Sequence, residues 1–187
     1  MNRSYVIILF SFLLLSSQAF AQNAANPAQQ LFDEQVSKIK WKDLSVEFRP
    51  VTEKSAKGSQ AMVVKSADQE NGKTYYVGKS TILGLKDIGN MDVTYNPNDL
   101  GMLRLIMRFN DDGKKTLSDY TTKNVGNMMG VVIDGQLRLV AHIRQPLVNG
   151  KVQVYGFSAN EAADIAKRYY QPKLDLARQI QELQNKK

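Results

Sequence analysis

The sequence contains no cysteine among its 187 residues, and it contains only one histidine. A chain without cysteine cannot form a disulfide, so its fold must depend on a hydrophobic core even in an oxidising compartment. Thiolates and imidazoles are the usual zinc ligands, and one imidazole without any thiolate argues against a zinc site. The absence of cysteine also excludes a lipid anchor attached to that residue.

The chain also lacks an apolar run long enough to cross a bilayer. The longest run, Tyr5 to Leu15, has 11 residues, whereas a spanning helix needs about 20. It follows the basic Arg3 and precedes Ala19-Phe20-Ala21, in which small residues occupy the two outer positions of a cleavage site. The pattern predicts a cleavable signal peptide over residues 1–21 and a periplasmic mature chain without a membrane span. The alternative is an uncleaved membrane anchor.

Charge of one sign is not concentrated anywhere in the chain. Without Arg3 the sequence has 24 basic residues, one fewer than the 25 of the full chain, against 18 acidic ones. These charges are scattered, which favours an ordinary solvated surface and gives no reason to expect nucleic acid as a partner. An acidic partner or a membrane surface remains open.

The N-terminal part of the mature chain divides into two regions. Residues 22–30 are rich in Asn, Ala, Gln and Pro and predict a flexible leader. Residues 31–73 are predicted to form strands after a helix. This helix covers 28–40, so its first residues overlap the leader. The predicted strands cover 44–51, 61–65 and, after a turn over 66–73, 74–77.

Residues 74–171 alternate between strand and helix patterns. A hairpin is predicted from Met91 to Phe109 and a helix from Asp111 to Lys123. Asp134-Gly135 predicts a two-residue hairpin turn between strands 127–133 and 136–143. Another strand follows over 151–155, and Ser158 and Glu161 form a capping box that opens a further helix. Helices on one face of an antiparallel sheet make this an α+β, two-layer fold.

The last segment, residues 172–187, predicts a separate amphipathic helix. Pro172 is expected to break or kink the preceding helix. Leu176, Ile180 and Leu183 recur at helical spacing. We expect this face to pack on the domain, and the alternatives are weak self-association and docking of a partner.

A series of short motifs between Thr122 and Ala166 resembles a known family. In order they are Asn-Val-Gly, Val-Ile-Asp-Gly, Pro-Leu-Val-Asn-Gly, Tyr-Gly-Phe-Ser and Glu-Ala-Ala-Asp-Ile-Ala. They resemble the head of the first periplasmic domain of the SecD/SecDF protein-export family, with matching spacing. The residues that carry the resemblance are of structural types: Asn124, Gly126, Asp134, Gly135, Pro146, Gly150, Gly156, Ser158 and Glu161.

The chain also departs from that family. A Ser-Ala-Pro step usually follows the Asp-Gly hairpin, and Leu139-Val140-Ala141 stands there instead. The family's transmembrane helices have no counterpart, so coupling to a proton gradient is not expected. The resemblance therefore implies a binding module that contacts exported polypeptide or translocon components. The alternative is a structural or interaction subunit of the cell envelope that reuses the same fold.

No set of residues in the sequence predicts catalysis. The single His142 lies inside a predicted strand, Asp111 and Asp112 fit the first turn of a helix, and Asp134 fits a turn. The glycines make no phosphate-binding loop. We therefore expect neither an enzyme nor a cofactor, and an enzyme with an unseen site is the remaining alternative.

Alternation within two strands suggests a candidate polypeptide-binding face. Aliphatic residues on one side of each strand would face the core, leaving cations and aliphatics on the other. Such a mixture suits an extended or acidic polypeptide, and the alternative is an ordinary solvated sheet face. The predicted face comprises Arg104, Ile106, Arg108, Arg138, Val140, His142 and Arg144.

Overall fold

A computed structural model describes residues 43–65, 71–95 and 102–185 of the chain. The predicted signal peptide, the leader and the helix over 28–40 lie outside these residues. So do residues 66–70 of the predicted turn over 66–73 and residues 96–101 of the predicted hairpin. The described strands and helices are, in chain order, β1 (Val46–Thr52), β2 (Gln60–Val63), β3 (Thr74–Val77), β4 (Leu83–Gly84), β5 (Ile88–Tyr95), β6 (Leu103–Phe109), α1 (Asp111–Lys123), β7 (Met128–Ile133), β8 (Gln136–His142), β9 (Lys151–Phe157) and α2 (Ala159–Gln184).

The strands form two antiparallel sheets, which confirms the predicted α+β class. The large sheet has the order β2-β3-β1-β7-β8, with β4 paired to β1. It curls until Val64, the residue after β2, bridges Leu137 of β8. Seven buried residues fill the inside of this curl: Val51, Val64, Tyr75, Val77, Met128, Val132 and Leu137.

Gly130 in β7 is required by this curl. A Cβ atom at that position would lie 2.7 Å from Cγ2 of Val51 and 2.9 Å from Cδ1 of Leu137. The side chains of Val51 and Leu137 therefore occupy the space that a side chain at Gly130 would need. The absence of a side chain lets the sheet close around its small core.

The small sheet has the order β5-β6-β9 and packs against the other side of the large sheet. Phe48 of β1 and Phe109 of β6 meet edge to face, with ring centroids 5.1 Å apart. Leu117 of α1 and Ile165 and Tyr169 of α2 are buried in the same cluster. One main core thus joins both sheets and both helices.

Local sequence signals explain how several elements begin and end. Asp134 and Gly135 both have positive φ, 48° and 75°, as the predicted two-residue hairpin turn requires. The Asn110 side chain accepts a hydrogen bond from the Gly113 backbone N–H at the start of α1. Ser158 and Glu161 form the capping box at the start of α2.

The prediction that a new helix starts after Pro172 is wrong, because α2 continues through this residue to Gln184. Proline removes one backbone donor and crowds the carbonyl four residues earlier, at a cost of about 3 kcal/mol. Side chains before and after it bind the same strand: Tyr169 donates to the Ile88 carbonyl, and Lys173 donates to the Gly89 carbonyl. Leu176 and Ile180 are partly buried, and their predicted packing on the domain stays a prediction.

The sequence patterns did not predict β4 or the 3-10 turn Leu85–Asp87. Both are too short to show a periodicity. The 3-10 turn supports α1, because the Asn110 backbone N–H donates to the Asp87 carbonyl. Among the helices of the described residues, none combines the length and the apolar composition that a bilayer span needs.

Candidate functional site

The structure does not bring the seven predicted face residues together. Arg104, Ile106 and Arg108 lie in β6 of the small sheet. Arg138, Val140 and His142 lie in β8 of the large sheet, and Arg144 follows that strand. The prediction of one continuous face over both strands is therefore wrong.

The two strands cannot share a face because they belong to different sheets, and a β-bulge also redirects the side chains within β8. Val131 pairs with Leu139 and Val132 pairs with Leu137, so Arg138 is an extra residue in the ladder. An extra residue reverses the alternation of the strand beyond it. Leu137 consequently packs in the cluster inside the large sheet, whereas Leu139 packs against the main core.

Arg138 is 4% exposed and joins the two sheets. Its guanidinium donates to the Gly156 carbonyl at 3.0 Å and lies 3.3 Å from a carboxylate oxygen of Glu161. Its Cζ atom lies 4.2 Å from the centroid of the Phe157 ring. These contacts make Arg138 a structural link from β8 to β9 and α2. Because its side chain is buried among them, it cannot contact a binding partner.

The outer side of the small sheet carries Arg104, Ile106 and Arg108, which are three of the seven residues of the predicted face. The register places Asp92, Ile106 and Gln153 side by side across β5, β6 and β9. Their neighbours at two-residue spacing point to the same side. We call this side the polar face, and it comprises Asn90, Asp92, Thr94, Arg104, Ile106, Arg108, Lys151, Gln153 and Tyr155.

Contacts within the polar face hold its cations in place. Arg108 forms an ion pair with Asp92. Arg104 lies 3.4 Å from Oε1 of Gln153, and its Cζ atom lies 4.9 Å from the centroid of the Tyr155 ring. The guanidinium groups therefore keep defined positions on either side of Ile106, which is 8% exposed.

Three members of this face in β9 were missed by the prediction: Lys151, Gln153 and Tyr155. The signal was present, because Lys-Val-Gln-Val-Tyr alternates and places these three residues on one side of the strand. They bring one more cation and an aromatic ring that is 37% exposed. The single acid of the face, Asp92, is already paired, so the face is cationic.

The second candidate region surrounds the exposed His142. A shallow cleft of about 470 Å³ is lined by Val125, Gly126, His142, Ile143 and Arg144. These five residues include one imidazole but no hydroxyl that could act as a nucleophile and no carboxylate that could orient the imidazole. The described part of the chain also holds no group of three or more His, Cys, Asp or Glu that could bind a metal ion.

The motif residues that carry the family resemblance have structural contacts. Asn124 ends α1 and its side chain donates to the Tyr120 carbonyl at 2.8 Å. Gly126, with φ of 91°, donates to the Ile143 carbonyl. Gly150 accepts from the Phe109 backbone N–H. Gly156 accepts from Arg138, and Pro146 is exposed.

Asp134 has a role that turn chemistry alone did not predict. Its carboxylate accepts from the Ser45 backbone N–H at 3.0 Å and lies 2.8 Å from Arg168 of α2. Arg168 also pairs with Asp164 at 2.7 Å. These contacts connect the hairpin turn, the residue before β1 and α2, and they identify the group as structural.

Glu161 is the carboxylate whose titration the fold changes most clearly. The hydrogen bond from the Ser158 backbone N–H is the main cause that lowers the pKa of Glu161 to about 2, from an ordinary value of 4.5. The Ser158 hydroxyl and Arg138 lower it further, against partial burial. Because the folded pKa lies below the unfolded one, the ionised carboxylate stabilises the fold above pH 4.5. That contribution is lost as the pH falls towards 2.

We expect Glu161→Gln to remove this pH dependence. Glutamine retains the capping box, because its side-chain oxygen can still accept from the Ser158 N–H. The urea concentration at the unfolding midpoint should therefore be higher for the wild-type protein than for the variant. This difference should be larger at pH 6 than at pH 3. An equal difference at both pH values would contradict the assignment.

Comparison with protein-family models matches residues 47–168 to the model described as SecDF, P1 head subdomain. Among curated relatives, the protein translocase subunit SecD of Acidaminococcus fermentans is 25% identical over 127 residues, 63% of this chain and 30% of that protein. The SecD of Treponema pallidum is 33% identical over 73 residues, 39% of this chain and 12% of that protein. The chain thus spans less than a third of the length of these relatives.

Solved structures show the same fold. A structure reported for a membrane component SecDF that enhances protein export superposes with a TM-score of 0.52 and 19% identity, covering 79% of this chain and 70% of the other. SecDF in its super-membrane-facing form gives a TM-score of 0.52 and 19% identity over 78% of this chain and 21% of the other. At these identities the likeness concerns the fold alone.

Proposed function

The chain belongs to the family of the SecDF P1 head subdomain, and from that premise we propose that it is a non-enzymatic accessory of protein export that binds polypeptide. The proposed binding site is the polar face. The observation that carries the proposal is the pair of positioned guanidinium groups, Arg104 and Arg108, on the family's head fold. Translocon components are the alternative protein partner within the same role.

The chemistry of the polar face suits an unfolded chain better than a small molecule. Its surface is a flat sheet, whereas small-molecule sites are concave. Arg104 and Arg108 offer planar donors to carboxylates and backbone carbonyls. Tyr155 offers an aromatic surface beside them. Such contacts recognise charge and main chain without requiring one sequence.

The compartment is part of the proposal. We place the mature chain in the periplasm, after cleavage behind Ala21. The protein isolated from its host is therefore expected to begin at Gln22. Sequencing of its N-terminus checks this, and a chain that still begins at Met1 would contradict it.

We expect Arg104→Ser combined with Arg108→Ser to weaken binding of an unfolded protein at least tenfold. Both substitutions remove donors from the polar face, and both side chains lie outside the main core, so the fold should persist. Reduced, carboxymethylated α-lactalbumin is a suitable unfolded probe. Its binding is measured by fluorescence anisotropy at two salt concentrations.

The matched control is Lys115→Ser combined with Lys123→Ser on α1. It removes the same two charges from exposed positions away from the polar face. The control should bind the probe as the wild-type protein does. If all three proteins bound the probe with equal affinity, the polar face would not be the binding site. If both double variants bound it equally weakly, the loss would be explained by net charge alone.

A role as an envelope interaction subunit is the second candidate, and the last part of α2 favours it. Leu174 is 38% exposed, and neither Leu176 nor Ile180 belongs to the two core clusters of the described residues. Leu176 and Ile180 lie four residues apart on one side of α2, and an apolar stripe beyond the packed part of a helix suits a folded partner. In that case the Arg104 and Arg108 variants would retain binding of this partner, whereas Ile180→Ser would lose it.

A further inference from the structure

Some backbone N–H and C=O groups of β2 point away from β3 and are not part of the β2–β3 ladder. They form the outer edge of β2. The Val64 backbone N–H donates to the Lys73 carbonyl, and hydrogen-bonding residues alternate along an antiparallel strand. Gln60 and Met62 therefore turn their main chain towards β3. Ala61 and Val63 turn theirs to the opposite side.

Lys65 shows what this edge can bind. Two residues beyond Val63, it turns its backbone N–H to the same side and donates to the Leu137 carbonyl at 2.8 Å. This pairing is parallel and joins the end of the edge to β8. Among the described residues, no hydrogen bond outside the ladder reaches the main chain of Ala61 or Val63.

The edge is short, with four residues, but it lacks three other usual protections against strand addition. Natural edge strands are blunted by charged residues, proline or bulges. Gln60–Val63 contains no charge and no proline, and its pairing with β3 has no register shift. Ala61 is exposed, and Val63 is 58% exposed.

The charge around this edge indicates its partner. Residues 52–79 contain five lysines and three acids, Glu53, Asp68 and Glu70, so this segment has a net charge of +2. All five lysines are exposed, and Lys65 lies 3.4 Å from Glu161. A second copy of the chain would bring equal lysine clusters together, which disfavours self-pairing. The five residues are Lys54, Lys57, Lys65, Lys73 and Lys79.

We propose that the β2 edge binds an extended, acidic segment of another polypeptide as an added strand. The main chain of Ala61 and Val63 supplies hydrogen bonds, and the lysines select acidic residues in the added segment. The β2 edge lies on the large sheet, whereas the polar face lies on the small one. The two sites can therefore be tested separately.

The probe is a capped, fluorescently labelled peptide, Asp-Val-Thr-Val-Thr-Val-Asp, titrated by anisotropy. N-methylation of alternate residues removes the donors along one peptide edge and should weaken binding at least tenfold. A peptide ending in lysine instead of aspartate should also bind at least tenfold more weakly. These two results separate main-chain pairing from simple charge attraction.

The protein variant is Ala61→Pro, which removes an outward N–H and leaves the ladder to β3 intact. It should weaken peptide binding at least tenfold while urea unfolding shows that the fold persists. If this variant does not fold, Val63→Glu repels the acidic peptide from an exposed position. Its matched control is Val148→Glu, because Val148 is 63% exposed and distant in sequence.

Unchanged peptide binding by the folded edge variant would overturn the proposal. Equal weakening by Val148→Glu would overturn it as well, since the effect would then be charge alone. The wild-type protein could instead fail to bind the peptide and form a dimer that Ala61→Pro abolishes. This result would show that the partner of the edge is a second copy of the chain. Loss of α-lactalbumin binding in the Arg104 and Arg108 variants, with peptide binding retained, would leave both proposals standing.

Discussion

Replacing Phe48 by alanine is expected to lower the free energy of unfolding by about 3–5 kcal/mol. Phe48 is fully buried in β1, and its ring meets that of Phe109 across the main core. The substitution removes this ring contact between the two sheets and leaves a cavity in the main core. Urea unfolding followed by circular dichroism measures the loss.

Two controls define the effect of Phe48→Ala. Phe48→Leu keeps most of the volume and should cost less, about 1.5 kcal/mol. Val63→Ala changes an exposed position and should stay within about 0.5 kcal/mol of the wild-type protein. A loss below about 1 kcal/mol for Phe48→Ala would contradict a shared core between the sheets.

Arg138→Ala is expected to lower the free energy of unfolding by about 2–4 kcal/mol. This loss is smaller than the loss on breaking a fully buried ion pair, because Glu161 is partly exposed. The truncation leaves the Gly156 carbonyl without its donor and removes the guanidinium from the Phe157 ring. It therefore loosens the second connection between the two sheets. The same urea unfolding experiment measures this loss.

Arg144→Ala is the matched control, because Arg144 is exposed just beyond the same strand. It should change stability by less than about 0.5 kcal/mol. Arg138→Lys keeps the charge but loses the fork of donors, and its stability should fall between those of Arg138→Ala and the wild-type protein. If Arg138→Ala matched Arg144→Ala, Arg138 would be a surface residue, as simple alternation predicts.

Local signals in the sequence predicted much of the fold. The Asp134-Gly135 turn and the Ser158–Glu161 capping box are short motifs whose geometry depends on few neighbours. The motifs from Thr122 to Ala166 also led to the family that the comparison confirms. Such features are readable because their hydrogen bonds close within a few residues.

The arrangement of the two sheets was not readable in this way. Periodicity shows which residues share a side of one strand, but it does not show which strands share a sheet. The bulge at Arg138 is a single extra residue, and it reversed the predicted orientation of the rest of β8. The helix through Pro172 depends on contacts of Tyr169 and Lys173 with β5, which are distant in sequence.

Three of the seven residues of the candidate face share one side of a strand, as the alternation in β6 predicted. Arg104, Ile106 and Arg108 share a side of the strand because β6 itself has no inserted residue. Their partners in β5 and β9 follow only from the register of the small sheet. The binding role of this polar face remains a proposal, and it makes a prediction that can be tested at single positions.

The most direct test is photo-cross-linking from Gln153, in the middle of the polar face. A photoreactive amino acid at this position should cross-link to unfolded α-lactalbumin, and unlabelled α-lactalbumin should compete. The same amino acid at the exposed Lys123 of α1 is the control and should give no specific product. Cross-links from Lys123 but not from Gln153 would contradict the account, since they would place the polypeptide on the other side of the molecule.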